Sequence, residues 1–268
     1  MLLEDAAPLV EDARFKLLTF IGSSAVGWAM KQRAGHKLVT LELGGNAGVI
    51  VHSDADLADA AERCVAGGFA YAGQSCISVQ RIFVQEQVYD AFMKLFTPQV
   101  EALNVAHPLD EAADLSSLIR ESDGQRMREW LEEACTAGAQ ILVGGVVDQR
   151  VVEPTIVVNA GPELRINCQE MFAPVVMVET YTDFNDALRM VNNSDYGLQV
   201  GLFTRDVQLI FYAYETLDVG GVMVNEVPTW RSDPMPYGGV KQSGFGREGL
   251  KYAIEDMTAP KVLVLKLS

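Results

Sequence analysis

The sequence has little of what marks metal, disulfide and membrane proteins. Its three histidines are scattered along the chain, so no metal-binding cluster is predicted. Its four cysteines show no CxxC spacing, and a chain of 268 residues does not need disulfide staples, so we expect reduced thiols and a cytoplasmic location. No apolar run reaches the roughly 18 residues of a membrane-spanning helix. The acidic first residues do not resemble a cationic signal peptide.

Positive charge is also scarce. The chain has 21 lysines and arginines against 36 aspartates and glutamates, which gives a formal net charge of −15. Such a charge disfavours nucleic acids and anionic membranes as partners, because both are themselves negatively charged. Hydrophobic residues make up 49% of the chain, enough for a sizeable core, and its length allows one large domain or two modest ones. We therefore expect neither nucleic acid nor membrane as a partner.

Apolar, β-branched runs alternate with amphipathic stretches, several of which open on aspartate, a favoured N-cap. The apolar runs predict strands over 17–21, 39–43, 48–51, 81–85, 141–143, 155–158, 175–180, 200–204 and 222–225. The amphipathic stretches predict helices over 28–33, 54–71, 87–103, 123–137, 183–192 and 206–216. This alternation is typical of an α/β fold with a mainly parallel sheet and helices on its faces.

Two residues stand out chemically, Glu42 in LELGGN at 41–46 and Cys76 in GQSC at 73–76. Glu42 ends an apolar β-like run directly before two glycines, and Cys76 lies in a small polar turn led by glycine. A thiol nucleophile and a carboxylate base are the groups needed to form a covalent thioester and then hydrolyse it. Each alone is weak support, since a lone cysteine is more often a small buried residue and such a glutamate more often a surface or capping residue.

Further motifs follow in a fixed order. Besides the two above, they are FIGS at 20–23, EMFAP at 170–174, NSDYGL at 193–198 and PYGGVKQSG at 236–244. From about Phe15 to its end, the chain resembles the aldehyde dehydrogenase superfamily, in which similar motifs occur in the same order. The resemblance implies an oxidoreductase that converts an aldehyde to a carboxylic acid, with NAD or NADP as the hydride acceptor.

By this resemblance, the Cys76 thiolate attacks the aldehyde, and Glu42 deprotonates the water that hydrolyses the resulting thioester. A hydrolytic base argues against relatives that pass the acyl group to a thiol carrier. The resemblance also implies cofactor contacts at Gly22, Ser23, Val26, Leu43 and Gly44, a ribose contact at Glu170 and a nicotinamide contact at Phe172. No metal ligand is implied.

The residues alone leave alternatives open at several of these positions. The stretch 20–27 could be an ordinary strand-to-helix connection, although free N–H groups at a helix start suit a phosphate. Glu170 could be a solvated loop residue. In the family, the loop after 225 lines the substrate mouth, so Trp230 and Arg231 are candidates to touch substrate, or else a surface aromatic and a solvated cation. Arg231 would suit an aldehyde that carries a negative group.

A literal GxGxxG occurs at 244–249 as GFGREG. It follows a loop rich in proline and glycine rather than a strand, so it lacks the context of a dinucleotide-binding fingerprint. The resemblance implies instead that this stretch begins a helix.

The resemblance also divides the chain into parts. They are a remnant of the dinucleotide-binding domain at 1–43, a catalytic domain at 44–240, a return segment at 241–257 and an oligomerisation strand at 258–268. The apolar stretch 261–267 would form an exposed strand edge unless a second subunit pairs with it. We therefore expect a homo-oligomer, either a dimer or a tetramer.

Family members carry a long N-terminal segment with most of the dinucleotide fold, an asparagine that helps hold the oxyanion and a lysine that helps hold the cofactor. The present sequence starts just before the FIGS turn. Two alternatives follow, the catalytic portion of a working dehydrogenase or a truncated, inactive fragment that only folds and self-associates. Residues that choose between NAD and NADP lie in that N-terminal segment, so both cofactors stay open.

Overall fold

The computed structural model of the protein describes residues 6–267. Its helices are α1 (Ala7–Glu11), α2 (Ser24–Arg33), α3 (Leu57–Phe69), α4 (Tyr89–Glu101), α5 (Glu121–Thr136), α6 (Arg165–Cys168), α7 (Phe184–Asn192), α8 (Val207–Thr216) and α9 (Leu250–Met257). Its strands are β1 (Leu17–Ile21), β2 (Leu38–Glu42), β3 (Ala47–Val51), β4 (Val79–Gln85), β5 (Gln140–Val143), β6 (Val147–Asp148), β7 (Val151–Val152), β8 (Thr155–Val158), β9 (Val175–Tyr181), β10 (Tyr196–Gly197), β11 (Gln199–Phe203), β12 (Gly221–Val224), β13 (Val240–Lys241) and β14 (Gly244–Phe245).

A seven-stranded sheet forms the centre of the fold, in the order β12-β11-β3-β4-β9-β8-β5. Its neighbouring strands are parallel except for β5, which runs antiparallel to β8. Strand β3, with the sequence AGVIV, is buried at every position. An apolar run without polar alternation suits a parallel sheet that helices cover on both faces. The predicted α/β class with a mainly parallel sheet is confirmed.

Helices pack on both faces of this sheet. Val49 of β3 points to the face covered by α3 and α4, where the rings of Phe92 and Phe96 stack with centroids 5.3 Å apart. Ile50, the next residue of β3, points to the opposite face and packs with Leu188 of α7. The two-residue period of a strand places successive side chains on opposite faces. Apolar residues at both positions therefore tie the sheet to two helical layers.

Aspartate caps begin three of the helices. The side chains of Asp56, Asp183 and Asp206 accept hydrogen bonds from first-turn N–H groups of α3, α7 and α8. The predicted helix start at 54 is wrong. Asp54 instead accepts a hydrogen bond from the hydroxyl of Thr204 at 2.8 Å. The N-cap is Asp56, and α3 begins at Leu57.

A smaller sheet lies beside the central one. Strands β1 and β2 pair in parallel, and β14 joins β2 in antiparallel orientation with Gly244 opposite Glu42. The chain therefore returns after residue 240 to the strand that carries Glu42. The GxGxxG stretch spans β14 and the turn before α9, so it does lead into a helix. The four-part division of the chain stays a prediction, and its residues 1–5 and 268 lie outside the described residues.

The segment 258–267 forms neither helix nor strand within the single chain. No residue among 6–267 pairs with the predicted strand at 261–267, so this segment has no strand partner within the single chain. Its apolar side chains are exposed, Leu263 to 87%. Pairing with a second subunit stays a prediction.

None of the helices within 6–267 is both long and apolar enough to cross a membrane.

Candidate active site

Three motifs meet at one edge of the central sheet. Strands β3, β4 and β9 are adjacent and parallel, so their amino ends lie at the same edge. The segment 42–46 precedes β3, 76–78 precedes β4 and 170–174 precedes β9. Parallel order thus brings together residues that are far apart in the sequence.

Glu42 is the last residue of β2 and is only 3% exposed. Both of its carboxylate oxygens are buried, with no hydrogen-bond partner in the described part of the chain. Burial first, and then the charge of Glu248, raises the pKa of Glu42 from an ordinary 4.5 to about 8, against the opposing charges of Arg247 and Arg231. A carboxyl group with this pKa can exchange a proton near neutral pH, as a general base must.

Left-handed residues shape the loop that carries Cys76. Tyr71, Ala72 and Gly73 have φ angles of 54°, 55° and 67°. A β-carbon on Gly73 would stand 2.1 Å from the carbonyl oxygen of Ala173, so only glycine fits there. A non-glycine residue in this region costs about 1–3 kcal/mol, and such strain clusters at functional sites.

Cys76 is half-buried in a small apolar cluster to which Tyr237 also belongs. Its sulfur lies 3.4 Å from the hydroxyl oxygen of Tyr237. Burial raises the pKa of the Cys76 thiol most, the hydrogen bond with Tyr237 lowers it, and the charges of Glu170 and Glu42 raise it further. Glu42 is thus near enough for its charge to act on the Cys76 thiol.

The two glycines of LELGGN pass between Glu170 and Cys76. The backbone N–H of Gly45 donates a hydrogen bond to Oε1 of Glu170 at 2.9 Å. A β-carbon on Gly44 would meet a Glu170 oxygen at 2.4 Å, and one on Gly45 would meet the carbonyl oxygen of Cys76 at 2.1 Å. Larger residues would push these groups apart, so the glycines permit the close approach.

The side chain of Gln80 links two of these segments by hydrogen bonds. Gln80 was not predicted as a site residue. Its side-chain amide donates to the carbonyl oxygen of Gly45 at 3.0 Å and accepts from the backbone N–H of Met171 at 3.0 Å. The amide thus joins the segment that follows Glu42 to the segment that carries Glu170. A buried glutamine in an apolar strand was the available signal, because such a group needs partners for its amide.

Five of the seven predicted cofactor residues lie in two groups. Glu170 and Phe172 precede β9, where Phe172 is half-buried with a φ of 51°. Gly22, Ser23 and Val26 lie at the start of α2. In the described chain, the Ser23 side chain makes no capping hydrogen bond and the first turn of α2 carries no acidic residue. A helix start with free N–H groups and no negative charge suits a phosphate group.

Leu43, also predicted as a cofactor contact, is buried against Gly27 of α2. A β-carbon on Gly27 would stand 2.4 Å from the end of the Leu43 side chain. The side chain therefore supports α2, and any contact of Leu43 with a cofactor would come from its backbone.

Arg231 contacts Tyr237, the residue whose hydroxyl contacts the Cys76 thiol. Its guanidinium lies over the Tyr237 ring, 4.0 Å from the centroid, and 3.3 Å from a carboxylate oxygen of Glu248. Its side chain is 41% exposed, so a ligand can reach it. Trp230, the other predicted substrate residue, is exposed on the same loop, and its carbonyl oxygen accepts a hydrogen bond from Gln199 at 3.2 Å.

Sequence reasoning missed Tyr237 and Gly238 as site residues, although it recognised their motif. The Tyr237 hydroxyl contacts the sulfur of Cys76, and a β-carbon on Gly238 would stand 2.9 Å from Oε1 of Glu42. Two successive residues of one loop thus lie beside the two groups predicted to react. The signal in the sequence was a tyrosine directly before two glycines. Which side chain its hydroxyl contacts depends on the fold, however.

The remaining thiols lie elsewhere. Cys64 is fully buried in α3, and burial raises its pKa, while Cys135 is exposed on α5 and Cys168 is half-buried at the end of α6. Among residues 6–267 there is no group of three or more metal-ligating side chains that could hold a metal ion. The site thus offers a thiol, a tyrosine hydroxyl and a carboxyl group with no hydrogen-bond partner among residues 6–267. A thiol and a carboxyl group are the groups that carbonyl addition and thioester hydrolysis need.

The family profile described as the aldehyde dehydrogenase family matches residues 4–263. A curated relative, the 3-sulfolactaldehyde dehydrogenase of Priestia aryabhattai, is 44% identical over 259 residues, which cover 97% of this chain and 54% of the relative. The chain therefore spans about half the length of the curated relatives it matches.

Solved structures of dehydrogenases are also similar to this chain. The crystal structure of aldehyde dehydrogenase 21 from Physcomitrella patens, in complex with the reaction product succinate, has a TM-score of 0.96 and 44% identity, covering 99% of this chain and 56% of that chain. The glyceraldehyde-3-phosphate dehydrogenase from Methanocaldococcus jannaschii, complexed with NADP, has a TM-score of 0.91 and 38% identity, covering 94% and 55%. Similar structures hold NADP or NAD+.

Proposed function

The chain belongs to the aldehyde dehydrogenase family, and we propose that it carries the part of an NAD(P)-dependent enzyme that forms and hydrolyses the acyl intermediate. The observation that carries this proposal is Glu42, a buried carboxyl group without a partner among the described residues, placed at the same edge of the sheet as Cys76. A partnerless buried acid destabilises a fold, so its presence is explained best by chemistry.

In the proposed reaction, the Cys76 thiolate adds to the carbonyl carbon of the aldehyde, whose oxygen becomes an alkoxide. Bound NAD(P)+ supplies the hydride acceptor that makes oxidation to a thioester possible. Glu42 then removes a proton from a water molecule as its oxygen adds to the thioester carbon. When the carbon–sulfur bond breaks, its electron pair returns to Cys76 and a carboxylic acid leaves. The general base is worth about 10²–10⁴ in rate.

The site residues fit such a cofactor. Glu170 uses one carboxylate oxygen for the N–H of Gly45, which leaves the other for a ribose hydroxyl. Phe172 presents a ring from the same segment, and the uncapped start of α2 at Ser23 suits the pyrophosphate. Both NAD and NADP stay open as the hydride acceptor.

We further propose an aldehyde that carries an anionic group. The exposed guanidinium of Arg231 lies beside Tyr237, which contacts the nucleophile, so an anion bound there would hold the aldehyde near Cys76. Three of the similar proteins support this, because one is named for a sulfonated aldehyde, one structure holds succinate and one is named for a phosphorylated aldehyde.

The test is a Glu42→Gln variant of the chain mixed with NAD(P)+ and succinic semialdehyde. We expect the variant to release stoichiometric reduced cofactor and then stop, with the acyl group retained on Cys76 in the intact mass. The wild type should turn over, Cys76→Ser should release nothing, and Glu163→Gln on the surface should behave as the wild type. If Glu42→Gln turns over at the wild-type rate, Glu42 is not the base. If the folded wild type forms no product, the alternative of an inactive fragment is favoured.

A further inference from the structure

We propose that the hydroxyl of Tyr237 is a catalytic hydrogen-bond donor to the Cys76 sulfur and that it favours the thiolate over the thiol. The inference rests on the proposed function, because it assigns a role in that reaction to a residue other than the nucleophile and the base.

The geometry supports donation from oxygen to sulfur. The two atoms are 3.4 Å apart, within hydrogen-bond reach for sulfur. A phenol is a better donor than a thiol, and a thiolate can only accept. Burial raises the pKa of Tyr237 far above its ordinary value, so the hydroxyl keeps its proton while the sulfur changes charge.

Tyr237 is held in place on several sides. Its backbone N–H donates to the carbonyl oxygen of Glu248 at 3.0 Å, and its own carbonyl oxygen accepts from the Glu248 N–H at 2.6 Å. Arg231 covers its ring, and the residue is only 4% exposed. A donor whose position is fixed in advance does not have to be ordered when the sulfur becomes charged.

The other surroundings of the sulfur disfavour its charged form. Burial and the charges of Glu170 and Glu42 all disfavour an anionic Cys76, and the Tyr237 hydrogen bond is the largest effect in the opposite direction. The charged groups that face this pair of residues are Glu42 and Glu170 on the sulfur side and Arg231 on the ring side.

Sulfur carries negative charge at two points of the proposed reaction. It is anionic before it adds to the aldehyde, and it receives the electron pair of the carbon–sulfur bond when the hydrated thioester collapses. A donor to the sulfur stabilises both states, so Tyr237 would assist attack and departure alike.

The test measures the rate at which iodoacetamide alkylates Cys76 across a range of pH, by peptide mass mapping of the chain. Tyr237→Phe should shift the profile to higher pH, with alkylation roughly three- to tenfold slower below the midpoint and equal rates at high pH, as expected for one lost hydrogen bond. Tyr181→Phe is the matched control. Tyr181 is also buried, and its hydroxyl lies 3.4 Å from a partner, the carbonyl oxygen of Val51, away from the thiol.

An unshifted profile in Tyr237→Phe, or the same shift in Tyr181→Phe, overturns the proposal. Should Tyr237→Phe unfold, a chain with 3-fluorotyrosine at 237 decides instead. Its more acidic hydroxyl is a stronger donor, so the profile must move to lower pH, and no movement is a refutation. Alkylation needs neither cofactor nor aldehyde, so the result stands even if the chain proves inactive as a dehydrogenase.

Discussion

The guanidinium of Arg231 lies over the ring of Tyr237, with 4.0 Å between the guanidinium carbon and the ring centroid. Because the hydroxyl of Tyr237 contacts the Cys76 sulfur, one tyrosine separates a cation at the surface from the candidate nucleophile. A cation–π contact of a partly exposed cation is worth about 0.5–1 kcal/mol. The Arg231 side chain is 41% exposed, so this contact positions Arg231 and leaves it available to a ligand.

Arg231→Ala should therefore discriminate between substrates. We expect it to reduce kcat/KM for succinic semialdehyde about ten- to hundredfold and to change a neutral aldehyde of equal length little, since a hydrogen bond to a charged group is worth about 1.5–3 kcal/mol. If the chain does not turn over, protection of Cys76 from iodoacetamide by each aldehyde gives the same comparison. Arg205→Ala is the control, because Arg205 is an exposed cation on a distant loop. Equal losses on both aldehydes would show that Arg231 only shapes its loop.

Glu42 should make the stability of the chain fall as pH rises. Its pKa is about 8 in the folded chain against an ordinary 4.5, because burial disfavours the charged form. The folded state therefore keeps a proton that the unfolded state releases, and the free energy of unfolding decreases between about pH 4.5 and pH 8. Urea unfolding at several pH values should show this slope in the wild type and a shallower one in Glu42→Gln. Parallel slopes would contradict the raised pKa.

The sequence pattern predicts the sheet well because the central strands are apolar on both faces. A run such as AGVIV at 47–51 has no polar alternation, and its burial in a parallel sheet follows directly. Two-residue strands such as β13 and β14 carry no periodicity, so they could not be predicted. The bounds of α2 and α5 also differ, since α2 begins at Ser24 rather than 28 and α5 at Glu121 rather than 123.

The candidate site is harder to predict, because it depends on which strands become neighbours. Motifs identify Glu42 and Cys76, but nothing local shows that β3 pairs with β4 or that β14 returns to β2. Open parallel sheets usually bind ligands at the carboxyl ends of their strands. Here the motifs meet at the amino ends of β3, β4 and β9. The contacts of Tyr237 and Gln80 become visible only once this order is known.

Gly73→Ala should destabilise the chain more than its backbone angle alone requires. Gly73 has a φ of +67° and faces the carbonyl oxygen of Ala173, whereas Gly35 has a φ of +63° and no described atom within 4 Å of the place that a β-carbon would occupy. Gly35→Ala should thus cost about 1 kcal/mol for the left-handed angle alone. Gly73→Ala should cost a further 1–3 kcal/mol or so for the steric clash. Urea unfolding measures the free energy of unfolding of both variants. Equal losses would show that the loop before Cys76 rearranges to relieve the clash.

The last prediction concerns the segment 258–267, whose apolar side chains are exposed in the single chain. An apolar extended segment is expected to pair with another strand, and a second copy of the chain could supply one.

Leu263→Asp should therefore lower the oligomeric state measured by light scattering, because a charge in the paired segment would be buried without a partner. Leu109→Asp is the matched control, since Leu109 is equally exposed at 87% and lies in a different loop. Its mass in solution should equal that of the wild type. If Leu263→Asp leaves the mass unchanged while the wild type is an oligomer, the subunits associate through another surface. A monomeric wild type would remove the proposed role of this segment altogether.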